Sequence, residues 1–139
     1  MTQPLSVPLP VPEPNADSRP YWNAAREGRL LIRECRSCGT RHFMPRSACP
    51  HCWSDQLDWL ESAGVGTVQS FSVVHRAPTP DFGAHTPYVI ALVDLDEGPR
   101  MFANLLGADA QSVAIGDRVH VVFEERGDGL KLPQFSRTA

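Results

Sequence analysis

No stretch of this sequence is apolar for long enough to cross a membrane as a helix. About 18 residues are needed, and the longest clean run, Tyr88-Val89-Ile90-Ala91-Leu92-Val93, is the size of a strand. Positive charge is not in excess either. The formal net charge is -3 and the pI about 5.9, so the chain as a whole lacks the basic footprint of a protein whose main partner is nucleic acid. Met1 to Pro14 has neither the basic start nor the apolar core of a secretory signal, so the expected location is the cytoplasm. Cysteine is scarce, with four in the chain. A reducing compartment disfavours disulfides, and four cysteines there point to a bound metal instead.

What is present is enough for one ordinary domain or two very small ones: 139 residues, of which 42% are hydrophobic, sufficient for a packed core. Met1 to Asn15 carries five prolines. These remove backbone donors and favour extended chain, so residues 1–16 read as a flexible tail, either mobile or laid along a partner. Asp17 or Ser18 can cap a helix, Pro20 suits its first turn and Gly28 stops it, which predicts a helix over Pro20–Glu27. Leu30–Ile32 leads into the first cysteine pair, and Leu57–Leu60 is a short strand leaving the second.

Beyond Ser62 the pattern becomes one of strands. Gly64-Val65-Gly66 reads as a turn. Strands follow over Thr67–His75, Tyr88–Leu95, Arg100–Leu106, Asp117–Glu124 and Leu130–Phe135, rich in β-branched residues and separated by Gly, Pro and Asp. Ala77–Thr86 reads as a loop, and Asp109–Val113 as a short helical or turn connection. Five short strands so punctuated fit a small closed barrel, for which the OB-fold is the five-stranded candidate. The expected class is α+β, mainly β, with a helix and zinc ribbon over 17–60 and an OB barrel over 61–139.

Cys35-Arg36-Ser37-Cys38 and Cys49-Pro50-His51-Cys52 form two C-x-x-C knuckles separated by ten residues. A two-residue spacer lets both sulfurs of a knuckle turn toward one point, and two knuckles supply the four ligands of a zinc tetrahedron. Gly39 permits the tight backbone after Cys38, and Pro50 stiffens the second knuckle. A disulfide pair and a redox C-x-x-C are the competing readings; the redox motif needs one pair beside a βαβ unit, not two. Iron would use the same four sulfurs. Four thiolates fill the coordination shell, so the metal is expected to be structural. His42 and His51 are not needed as ligands and read as surface or outer-shell residues.

Charge is divided unevenly. Arg26 to Cys52 has six basic residues against two acids, a net of +4, while Glu61 to Ala139 has six against ten, a net of -4. Arg33, Arg36, Arg41 and Arg46 could grip phosphates bidentately; equally, they could form a solvated surface that balances the thiolates. Catalysis by the chain alone finds little support. No cysteine is left as a nucleophile, and no G-x-S-x-G element occurs. His75 and Asp81 flank the loop after the first barrel strand, where a structural or interfacial role is the simpler reading for the histidine. Phe82, Gly83 and Tyr88 in that loop are candidate partner contacts. A nucleic-acid-binding module is the alternative reading, since OB-folds bind single strands through basic grooves with exposed aromatics. Phe71, Phe102 and Phe123 sit in apolar strands and read as core, and the barrel is acidic.

Several ordered motifs carry a wider resemblance: Tyr21-Trp22 before Gly28-Arg29-Leu30; Cys35-x-x-Cys38-Gly39; Phe43-Met44-Pro45-Arg46 before Cys49-Pro50-x-Cys52; Gly64-x-Gly66-Thr67-Val68-x-Ser70-Phe71; Pro87-Tyr88 through Gly98; and Gly116-Asp117-x-Val119. From about Asp17 to Phe135 the chain resembles a family of small acyl-CoA-associated proteins, long catalogued as a domain of unknown function, with a helical N-terminus, a rubredoxin-like zinc ribbon and a C-terminal OB-fold. The resemblance implies an accessory subunit beside a thiolase-like enzyme: a thiolase, a hydroxymethylglutaryl-CoA synthase, a retro-aldolase of steroid side-chain breakdown or an acyltransferase. A hot-dog enoyl-CoA hydratase is a further implied partner. It also implies that such a protein bridges subunits and helps form the site for a CoA thioester.

Overall fold

The computed structural model describes residues 8–138; residues 1–7 of the expected tail lie outside the described residues. Residues 8–15 have no regular secondary structure, and the Pro10 carbonyl accepts a hydrogen bond from Arg126 Nη1 at 2.8 Å. Helix α1 (Arg19–Arg26) follows, with Pro20 in its first turn. Asn15 and Ser18 brace the entry reciprocally: Ser18 N–H donates to Asn15 Oδ1 at 2.9 Å and Asn15 N–H to Ser18 Oγ at 3.0 Å. Gly28, at φ +76°, ends the helix as the following amides of Gly28 and Arg29 fold back onto Ala25 and Ala24. Tyr21, Ala24 and Ala25 form the buried face.

The ribbon is a three-stranded antiparallel sheet of order β2-β1-β3, with β1 Leu30–Cys35, β2 Arg41–His42 and β3 Leu57–Ser62. Pairing of β1 with β3 runs from Cys35↔Leu57 to Leu30↔Ser62. The expected boundary between residues 60 and 61 therefore falls inside a strand. Glu97 ties the junction to the barrel, accepting from the Ser62 hydroxyl at 2.8 Å and the Ala63 N–H at 2.9 Å.

The barrel comprises β4 (Val65–Val74), β5 (Tyr88–Leu95), β6 (Arg100–Leu106), β7 (Arg118–Gly127) and β8 (Leu130–Arg137), closed in the order β4-β5-β6-β8-β7. Every pairing is antiparallel except β6 with β8, which meet in parallel at Leu105↔Phe135 and Leu106↔Ser136. That three-strand meander followed by a crossed return is the five-stranded OB architecture. The connection between β6 and β7 carries a single 3-10 turn, Ala110–Ser112. Above the short β6–β8 contact, the seam is closed by a side chain: buried Gln134 accepts from the Asn104 N–H at 2.7 Å. Among the described residues no helix is long and apolar enough to cross a membrane.

One main core joins the helix, the base of the ribbon and the barrel, and a small separate cluster of Cys35, Cys49 and Leu57 lies at the knuckles. Val68, Val89, Ala91, Val93, Leu95, Met101, Leu105, Val119 and Phe135 fill the barrel, and Tyr21, Leu30 and Ile32 from the helix and ribbon join the same cluster. Strict alternation along β5 puts Val89, Ala91, Val93 and Leu95 inside and Ile90 and Leu92 on the outer face.

Three expectations change. Val65 and Gly66 are strand rather than turn, because Gly66 permits a close approach of β4 to β5: a Cβ there would stand 2.6 Å from the Asp94 carbonyl oxygen. The Ala77–Thr86 loop holds a four-residue helix, α2 (Pro80–Gly83). Phe102 is not core: it pairs across from Leu92 on the outward parity and is 63% exposed, whereas Phe71 and Phe123 pack partly buried against the core.

Candidate metal centre

The two knuckles are built alike. In the first, Cys35 N–H donates to Thr40 O at 2.9 Å and Gly39 N–H to Cys35 O at 2.8 Å; in the second, Cys49 N–H donates to Ser54 O at 2.8 Å and Trp53 N–H to Cys49 O at 2.9 Å. Gly39 and Trp53 thus hold equivalent left-handed positions, at φ +78° and +67°. Glycine takes that conformation freely; a residue with a Cβ is strained there by about 1 kcal/mol. Trp53 is also 83% exposed. The Ser37 and Ser54 hydroxyls, 2.8 Å apart, join the two turns.

The repeated turn brings the four sulfurs together. Cys35, Cys38, Cys49 and Cys52 Sγ all lie within 4.8 Å of one another. The Cys35–Cys52 and Cys38–Cys49 separations are both 3.6 Å. A metal bound at about 2.3 Å from each sulfur requires tetrahedral edges of about 3.8 Å, so the donor set fits a metal ion held by four thiolates. The His51 N–H lies 3.4 Å from Cys49 Sγ. The Thr40 hydroxyl, 3.2 Å from Cys38 Sγ, and then the Thr40 backbone amide hold the Cys38 thiol down to about 6. Cys52 is drawn down by the Ser54 amide but pushed up further, to about 12, by burial and the three neighbouring sulfurs. Four sulfurs at these distances cannot all carry charge unless a cation balances them, which is what a bound metal supplies.

Neither nearby histidine joins the ligand set. His51 is exposed. His42, expected at the surface or in an outer shell, is 8% exposed, and neither ring nitrogen has a hydrogen-bond partner. Burial, together with the charges of Arg33 and Arg46, holds its imidazole below the ordinary value.

The structure separates the four ribbon arginines. Arg33 lies over the Trp59 ring, 4.1 Å from its centroid, and Arg36 pairs with Asp58 at 3.3 Å. Arg41 and Arg46 line one cleft with His42, Met44 and Pro50, and across it stands Arg100 of β6. Sequence reasoning missed Arg100, which is far from the ribbon in sequence and reaches it only because the β5–β6 turn folds against β2. Phe82 and Tyr88 are neighbours, with ring centroids 5.6 Å apart, in a second cleft shared with Asn104, Glu124 and Arg126. His75 is exposed at the end of β4 and does not line that cleft.

Comparison with known proteins now has a structure to attach to. Residues 22–58 match the model of the ChsH2 rubredoxin-like zinc ribbon domain and residues 59–124 that of the ChsH2 C-terminal OB-fold domain. A DUF35 domain-containing scaffold protein of Methanocaldococcus jannaschii is 38% identical over 77% of this chain and 79% of its own length. A probable enoyl-CoA hydratase alpha subunit of Thermomonospora curvata is 40% identical over 91% of this chain, which spans 39% of that longer protein. The benzoylsuccinyl-CoA thiolase subunit BbsA of Thauera aromatica is 34% identical over 69% of this chain and 60% of its own length. Among solved structures, a chain of the Ltp2-ChsH2(DUF35) aldolase superposes with a TM-score of 0.79 at 39% identity, covering 91% of this chain and 98% of that one. With the zinc ribbon and OB-fold models matched in succession, and with relatives alike over most of both chains, this chain belongs to the ChsH2-type DUF35 family.

Proposed function

We propose that this chain is a zinc-binding, non-catalytic accessory subunit of a thiolase-like acyl-CoA enzyme: a thiolase, retro-aldolase or acyltransferase. In this reading it bridges enzyme subunits and helps form the site for a CoA thioester. The observation that carries the reading is the likeness, over nearly the whole chain, to the DUF35 component of an aldolase. A thiolase subunit and a hydratase alpha subunit among the relatives support the same class of partner, and a hot-dog hydratase is a further candidate. Zinc is the proposed ion, because four thiolates in a closed tetrahedron suit a structural zinc site. Its ligands are Cys35, Cys38, Cys49 and Cys52; iron would fit the same sulfurs.

The proposed contacts with CoA phosphate or partner are Arg33, Arg36, Arg41, Arg46, His75, Phe82 and Tyr88. All four cysteines are taken up by the cluster, which supports a role without covalent catalysis by this chain. The barrel's outer face favours a protein partner over nucleic acid. Phe102 is exposed there, but its groove is lined by Ser70, Ser72, Ile90 and Leu92, with no basic side chain. Copurification with the tagged chain from native cells, with metal analysis of the same sample, tests the reading. A stoichiometric thiolase-like or hydratase subunit and one equivalent of zinc are expected. Nucleic acid, or no protein partner, would overturn it.

A further inference from the structure

We propose that the cleft between ribbon and barrel is a phosphate-binding site, formed by Arg41 and Arg46 from the ribbon and Arg100 from the barrel around His42. The cleft has a volume of about 350 Å³, and its lining contains three arginines and no carboxylate. Two of those arginines are already oriented from behind. Glu34 accepts from Arg41 Nε at 2.7 Å, and Asp94 accepts from Arg100 Nε at 2.7 Å and Nη2 at 3.4 Å. Arg41 Nη1 also donates to the Glu97 carbonyl at 3.4 Å, which leaves the Nη2 group of Arg41 and the Nη1 group of Arg100 uncommitted among the described residues. Arg46 makes no ion pair or side-chain hydrogen bond among the described residues, so its whole fork is available.

His42 is the second, independent observation. It lines the same cleft, more than nine-tenths of it is buried, and neither ring nitrogen has a partner. An unpartnered buried polar ring is costly to leave so; both nitrogens are closed to solvent, so a ligand oxygen relieves that cost only with a small shift of the cleft wall. Burial first, and then the charges of Arg33 and Arg46, disfavour protonation of the ring, and a neutral imidazole carries one N–H.

The arrangement selects for a phosphate over a carboxylate. A carboxylate offers two oxygens in one plane, which a single guanidinium satisfies. A phosphate offers oxygens in a tetrahedron and can be met by arginines from opposite walls. Two of these walls belong to different parts of the fold, so a bound phosphate would also join ribbon to barrel. The site lies on this chain alone, and it rests on the reading above in taking Arg41 and Arg46 as phosphate contacts, to which it adds Arg100 and His42.

Calorimetric titration of the purified, metal-loaded chain tests the site, with inorganic diphosphate, ADP and coenzyme A as separate probes. Binding of diphosphate is expected, weakened at least tenfold in Arg46→Gln and in Arg100→Gln, and unchanged in Arg76→Gln on the exposed end of the barrel. Equal affinity for all three probes would assign the site to a diphosphate group as such. Tighter binding of ADP and coenzyme A would assign it to a nucleotide-bearing ligand, and tighter binding of coenzyme A alone to the cofactor. Absence of binding by all three, or binding indifferent to both cleft substitutions, would overturn the proposal. Folding of each variant is checked by its metal content and its unfolding midpoint. The result is independent of copurification, so this site and the partner reading can fail separately.

Discussion

His42 shows how a single residue acquires a property that its neighbours in sequence do not announce. It stands opposite Arg33 where β1 pairs with β2 and is 8% exposed. Burial first, and the positive charges of Arg33 and Arg46 next, hold its imidazole below the ordinary 6.5. The unfolded chain takes up a proton as pH falls through that value, while the folded chain does not until lower pH. Between the two the unfolded state binds more protons, so stability rises with pH and is lost as pH falls below 6.5. Denaturant unfolding at about pH 7.5 and about pH 5.5 should show a loss on acidification that His42→Leu reduces. The other histidines, His51, His75, His85 and His120, are exposed, so they set a common background for both proteins. An equal pH slope in the variant would show that His42 is not the group responsible.

Between elements, β4 and β5 come together at a missing side chain. Gly66 lies where β4 crosses β5, and an added Cβ would meet the Asp94 carbonyl oxygen at 2.6 Å and Val93 Cγ1 at 2.7 Å. The first contact is backbone and cannot rotate away. Gly66→Ala should therefore cost about 3 kcal/mol, the upper end of the range for overpacking, read as a lower denaturant midpoint with an unchanged slope. Gly83 is the contrast: nothing lies within 4 Å of a Cβ built there, so alanine at that position is expected to be far milder. Identical losses at the two glycines would contradict the steric account. The seam between β6 and β8 uses the opposite device, a side chain in place of a strand, with Gln134 taking the Asn104 amide.

For the whole molecule, the division of labour lies in the distribution of core. The helix, the base of the ribbon and the barrel share one buried cluster, while the metal end has only Cys35, Cys49 and Leu57. So small a cluster cannot hold the knuckles closed once four sulfurs lose the cation that balances them. Removing the metal by chelation, or by Cys49→Ala, should release the backbone over residues 36–56 to rapid amide exchange. Slow exchange at Val89, Val93 and Val119 should persist, since their core contains no metal ligand. Loss of protection throughout would mean that ribbon and barrel unfold as one unit. The sequence by itself determined the four-cysteine cluster, since two C-x-x-C spacings bring the sulfurs of each knuckle toward one point. It also determined β5 and β6 to the residue, because a nearly continuous apolar run starts after Pro87 and the Asp96-Glu97-Gly98-Pro99 turn separates it from the next strand. Tertiary structure decided the rest. It turned Phe102 outward, because parity across β5 and not hydrophobicity selects the buried face. It made Gly66 a strand residue, and it buried His42. It also separated Arg33 and Arg36 from Arg41 and Arg46, and brought Arg100 to the ribbon, because that meeting depends on how the β5–β6 turn folds against β2 and no spacing along the chain records it.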